Sequence, residues 1–131
     1  MKRFLFLLTV LALASCKGVV SSSGPEQAAK TFLTAYFAAD FAVAAPLCTG
    51  ALQEDMNRSL DFFDSLTEAE QAQTRSELSN YIFKMEKTQL NSGKDSATVS
   101  YRVFLQDSTG ITASGLHLVK QEESWKIDKI L

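Results

Sequence analysis

The chain has 131 residues, 46% of them hydrophobic, with 13 Lys and Arg against 15 Asp and Glu and a formal net charge of −2. That length supports one hydrophobic core and not two. No basic stripe offers a nucleic-acid surface, and one histidine with two cysteines excludes a paired-histidine or zinc–cysteine centre built by the chain itself.

The first element is a short positive segment, Met1-Lys2-Arg3, followed by a run from Phe4 to Ala14 that is apolar apart from Thr9. A membrane-spanning helix needs roughly 20 apolar residues. This run has about half that length, as the hydrophobic region of a secretory signal does. Ala12-Leu13-Ala14 fits a small-x-small signal that would be cut before Ser15. The overlapping residues Leu13-Ala14-Ser15-Cys16 resemble the lipobox of bacterial lipoproteins. That resemblance implies a signal peptide over residues 1–15, a diacylglycerol on the Cys16 sulfur, and an acylated new amino terminus. Stable anchoring takes more than one acyl chain, and Cys16 would carry two or three. Lys17 stands where the enterobacterial inner-membrane signal has aspartate. In the enterobacterial pattern that implies the outer membrane; other lineages sort differently, so the leaflet stays open within the bacterial cell envelope, outside the cytoplasm.

Residues 16–24 make the lipidated cysteine and a tether, "KGVVSSSG", whose serines and glycines carry no apolar period. Eight residues reach at most about 27 Å, so residues 25–131 form a domain held close to the bilayer. Without residues 1–15 the 13 basic side chains lose Lys2 and Arg3, leaving 11 against 15 acids. Cys48 is then the one unmodified thiol, expected as a buried structural cysteine.

Gly24-Pro25-Glu26 opens a helix, with proline at its first position and glutamate near its positive end. Ala29, Phe32, Leu33, Tyr36 and Phe37 recur at helical spacing. Asp40 is expected to cap a second, short helix over "FAVAAPLC", which Pro46 limits. Leu52, Met56, Leu60 and Phe63 mark a third helix. Thr67 with Glu70 forms a capping box for a fourth, polar helix to about Leu78.

From Tyr81 the period changes to two. Tyr81, Phe83 and Met85 alternate with Ile82, Lys84 and Glu86 before the turn "NSGKD". Ala97, Val99, Tyr101, Val103 and Leu105 give a second strand, Ile111 to Lys120 a third, and Trp125 to Leu131 a fourth. Hairpin-length links predict an antiparallel meander, and helices followed by strands predict an α+β class.

The opening "PEQAAKTFLTAYFAADFAVAAPLCT" and the ending "SATVSYRVFLQDSTG…LHLVKQEESWKIDKI" are similar to nuclear-transport-factor-2-like domains, among them small bacterial lipoproteins of that superfamily. The resemblance implies N-terminal helices packed on a curved four-stranded antiparallel sheet, a cone. Relatives of that fold use the cone for isomerisation, dehydration or cyclisation, or dimerise through the sheet.

No nucleophile elbow, phosphate-binding glycine loop, dinucleotide fingerprint or calcium loop occurs, so no cofactor, metal or catalytic residue is assigned. Candidate cavity-lining residues are Phe32, Tyr36, Tyr101, His117 and Trp125. His117 shares a strand face with Ile111, Ala113, Gly115 and Val119, with Leu116 and Leu118 on the other; it is read as a candidate to point into a cavity, against a histidine hydrogen-bonded in the core or facing solvent at the rim. The expected function is a membrane-anchored binding or accessory domain for a small ligand or an envelope partner. The acylated Cys16 would contact the bilayer, and the sheet, with Phe83 and Phe104, is a surface for a second copy or another protein. The alternative is a small-molecule enzyme of the isomerase or dehydratase type.

Overall fold

Proline at the first helical position needs no N–H partner, and Pro25 begins helix α1 (Pro25–Phe37), whose first carbonyl acceptor is Gly24. The structure, a computed structural model, describes residues 24–107 and 111–131. The signal segment, Cys16 and most of the tether lie outside the described residues. Ala29, Phe32, Leu33 and Ala35 bury one face of α1. The helix ends where Ala39 takes a φ of 54°. Asp40 N–H then donates to Ala35 O at 2.8 Å and Ala39 N–H to Tyr36 O at 3.1 Å. This is the paired-bond terminator normally built on glycine, here with an alanine that is 2% exposed.

Helix α2 (Phe41–Ala44) runs into a 3₁₀ turn, Ala45–Leu47, which contains Pro46. Asp40 occupies the N-cap position of α2, and its carbonyl accepts from Val43 and Ala44. Its carboxylate makes no cap bond, which corrects the expected side-chain cap. Helix α3 (Gly50–Ser65) buries Leu52, Met56 and Phe63. Helix α4 (Glu68–Leu78) carries the expected capping box: Glu70 N–H donates to Thr67 Oγ1 at 3.2 Å and Thr67 N–H to the Glu70 carboxylate at 2.9 Å. Those bonds hold the Glu70 carboxyl below its ordinary range, because they favour its charged form. No residue of α4 is buried.

The sheet is a meander, β1 (Tyr81–Leu90), β2 (Ser96–Leu105), β3 (Ile111–Gln121) and β4 (Ser124–Ile130), in that order and antiparallel throughout. Asn91 shapes the first turn, its side-chain carbonyl accepting from the N–H groups of Asp95 and Ser96 at 3.0 Å each. The last hairpin has no glycine, and Glu122 adopts the left-handed φ of 58° instead.

Two bulges bend the sheet. Glu86 is the unmatched residue between Met85 and Lys87, and Asp128 is unmatched opposite the His117–Leu118 step. Both are acidic, and each pairs with a nitrogen-bearing side chain on the sheet, Glu86 with Arg102 at 2.7 Å and Asp128 with His117 at 2.6 Å. The two sheet edges are treated differently. Cys48 and Thr49 run parallel to β4 as a single bridge, with Thr49 N–H donating to Ile127 O at 2.9 Å and Lys126 Nζ to Pro46 O at 2.7 Å. The β1 edge instead carries a bulge flanked by Lys84 and Lys87, devices that discourage a further strand from adding.

The core lies between the helices and one sheet face, where Phe32, Leu33, Val99, Leu116, Leu118 and Ile127 are buried. Cys48 belongs to it, with its thiol donating to Ala44 O at 3.4 Å. Burial pushes the Cys48 thiol up to about 12, against the opposing pull of Lys126. A thiol raised in the folded state favours folding fully below its unfolded value near 8.5, and that contribution is lost as pH rises towards about 12. In a Cys16→Ala chain, where Cys48 is the remaining thiol, alkylation at pH 8 is expected to be slow when folded and fast in denaturant. Equal rates, followed by mass, would show Cys48 exposed.

Candidate functional site

The alternation of β2 and β3 decides which side chains meet the helices. Val99 stands opposite Leu116 and Ala97 opposite Leu118, all buried, so these positions mark the inner face. Tyr101 shares that face at 5% exposure, and β4 adds the buried Trp125 and Ile127, the latter opposite Leu118. Phe32 fills the space from the helix side. Three of the expected cavity-lining residues, Phe32, Tyr101 and Trp125, are therefore packing atoms in an apolar interior. Among the described residues no charged or polar side chain is buried as a whole. The Thr88 hydroxyl oxygen, opposite Val99, is buried without a hydrogen-bond partner.

His117 is placed otherwise than expected. Because Leu116 and Leu118 both point inward, His117 occupies the outer face, opposite Thr98. Its Nδ1 lies 2.6 Å from an Asp128 carboxylate oxygen, and both side chains are partly covered. This pair ties β3 to β4 across the bulge rather than facing the interior. Phe83 is also on the inner side, register-matched to Val103, so it does not serve an outer sheet surface. Phe104 lies on the opposite face, paired with Ile82, in a surface otherwise carrying Lys84, Thr98, Ser100 and Arg102.

Tyr36 leads to the feature that residue-by-residue reading missed. It packs edge-on against Phe37 (5.4 Å between ring centroids) and Phe41 (6.2 Å). Phe37 stacks on Phe83 at 5.9 Å and leans on Tyr81 at 6.1 Å. In the other direction Phe41 meets Phe63 edge-on at 6.0 Å. The Arg75 guanidinium lies over the Phe63 ring, 4.9 Å from its centroid. An aromatic seam thus runs from β1 across the C-terminal end of α1 to α3 and under α4.

Two clefts flank α4 along this seam. One, of about 500 Å³, is walled by Phe37, Tyr81, Ile82 and Phe83 with Arg75 and Ser79 of α4. The other, of about 460 Å³, is walled by Phe41, Phe62, Phe63 and Leu66 with Thr74. Phe62 is 68% exposed, Tyr81 43% and Ile82 39%. The sequence held a signal for this: "YF" at 36–37 and "FF" at 62–63 put successive aromatics on different helix faces, so one of each pair falls off the core stripe.

Among the described residues no cluster of histidine, cysteine and carboxylates is arranged to hold a metal. No described helix is long and apolar enough to cross a membrane.

Helices packed on one face of a bulged, curved antiparallel sheet place the domain in the α+β class expected from its alternating periods. No family model and no curated protein matches the chain. Among solved structures it is similar to a ketosteroid isomerase-like protein from Erwinia carotovora atroseptica, at 16% identity and a TM-score of 0.47, over 79% of this chain and 87% of that one.

Proposed function

We propose that the chain is a lipid-anchored lipoprotein of the bacterial envelope whose nuclear-transport-factor-2-like domain acts by binding. The observation that carries the binding half is the contrast between interior and surface. The space between helices and sheet is occupied by Phe32, Leu33, Val99, Leu116, Leu118 and Ile127, while aromatic side chains line open clefts beside α4. A filled interior leaves little room for a substrate, and an isomerase-type reaction would need an acid or base beside one. His117 and Asp128, a suitable pair by chemistry, stand on the outer face of the sheet.

The anchoring half rests on Leu13-Ala14-Ser15-Cys16 after a short apolar run. Intact-mass measurement of the chain made in a bacterial host tests it. A species beginning at Cys16 and heavier by a diacylglycerol and an amide-linked acyl chain is expected. A species beginning at Ser15 with an unmodified thiol would sink the anchor and leave a diffusible protein.

A further inference from the structure

We infer that the cleft between α4 and the start of β1 is a binding site for an apolar monocarboxylate, with Arg75 as its anion-binding group. This rests on the reading of the domain as a binding module and names the ligand class. The first support is charge. Arg75 lines an otherwise apolar wall of Phe37, Ala38, Tyr81, Ile82 and Phe83. Among the described residues the carboxylates of Asp55, Glu86 and Asp128 pair with Arg58, Arg102 and His117, and none is seen against Arg75.

The guanidinium is also held in place. Its carbon lies over the Phe63 ring, 4.9 Å from the centroid, and a guanidinium's edge donors have the geometry that suits a bidentate carboxylate. Ser79, one helical turn further on, lines the same cleft, its hydroxyl donating to Ser76 O at 2.7 Å.

The second support is shape. A cleft of about 500 Å³ is within the range for small-molecule sites, which combine apolar walls with a few placed polar groups. Phe37 and Phe83 lie nearly parallel, 20° apart, and offer ring faces and edges to a flat or chain-like body. The third support is the character of α4. With 11 residues and none buried, it is too short to be stable as an isolated helix. Among the described residues its side-chain ties to the body are few: Gln71 Nε2 donating to Phe63 O and Leu66 O, and the Arg75–Phe63 contact. A helix so lightly held is free to adjust over a ligand and gains packing when one fills the space beneath it.

Acyl and aryl carboxylates share this chemistry, and titration calorimetry separates them. Decanoate and 2-naphthoate are titrated into the full mature chain, with 1-decanol and 2-naphthalenemethanol as uncharged partners. Saturable one-to-one binding is expected for at least one acid, and its identity distinguishes a chain from a flat body. A charge-assisted pair contributes about 1.5–3 kcal/mol, so Arg75→Gln is expected to weaken that acid by about tenfold or more. The corresponding alcohol should bind Arg75→Gln and wild type alike. Tyr81→Glu, at an exposed position on the same strand face as Phe83, is expected to abolish acid binding through repulsion while circular dichroism stays unchanged. Equal affinity of the acid for wild type and Arg75→Gln would overturn the proposal. Absence of saturation up to about 1 mM would do the same. If a photo-crosslinker at Ile82 then captured a protein neighbour, the binding reading would survive and the carboxylate would not.

Discussion

Truncating Phe32 to alanine is expected to destabilise the domain by about 3–5 kcal/mol. Phe32 is fully buried between α1 and the inner face of the sheet, in the cluster that includes Leu33, Val99, Leu116 and Ile127. Its removal takes away a large apolar surface and leaves a void that surrounding strands cannot close without disturbing their register. The neighbouring Tyr36 ring, 5.9 Å away, also loses its tilted partner. A domain of this size is held by roughly 5–15 kcal/mol in total, so the variant should lose about a fifth or more of its stability. Urea unfolding of Phe32→Ala and wild type, both in the water-soluble Cys16→Ala background, measures the difference. A loss under about 1 kcal/mol would mean that Phe32 does not fill the interior, and the case for a filled cone would fall with it. Phe62→Ala makes the contrast: at 68% exposure its ring is mostly in water, and the change should stay within about 0.5 kcal/mol.

The second large effect concerns location. Replacing Cys16 with alanine removes the acceptor for every acyl chain that the lipobox resemblance implies. One myristoyl-length chain gives a membrane association constant of about 10⁴ M⁻¹, and a second makes attachment stable. The expected result is a complete change of phase: wild type in the detergent phase of an extract, Cys16→Ala in the aqueous phase. The small-x-small signal at Ala12-Leu13-Ala14 would still permit export with cleavage before Ser15. The stability of the domain should be unaffected, since the change lies before the first helix at Pro25. Wild type found in the aqueous phase would end the anchoring proposal.

Much of the backbone was legible in local patterns. The period of 3.6 from Ala29 to Phe37 and the period of two from Ala97 to Leu105 gave helices and strands where the structure has them. The capping box at Thr67 marked the start of α4 from four residues. The end of α1 was harder to read, because an alanine takes the left-handed position that glycine usually marks. The bulges at Glu86 and Asp128 left no local trace either. An unmatched residue is defined by the strand opposite it, and neither strand encodes the pairing by itself.

His117 shows why site assignment needed the fold. Alternation placed it out of phase with Leu116 and Leu118, but period alone does not say which phase faces the helices. Packing decided it: two leucines bury more apolar surface against Phe32 and Leu33 than one imidazole, and the histidine goes outward to Asp128. The same competition turned Tyr101 and Trp125 into core packing. The seam from Phe63 to Phe83 joins residues from three helices and a strand, so no window of sequence contains it.

By itself, the sequence determined the element types and the α+β class, because these depend on near neighbours along the chain. Tertiary structure decided which face is inside, where the carboxylates Glu86 and Asp128 find partners, and how Arg75 comes to stand over an aromatic cleft. Those outcomes follow from competition for burial among residues distant in the chain, and a local pattern does not record who wins it.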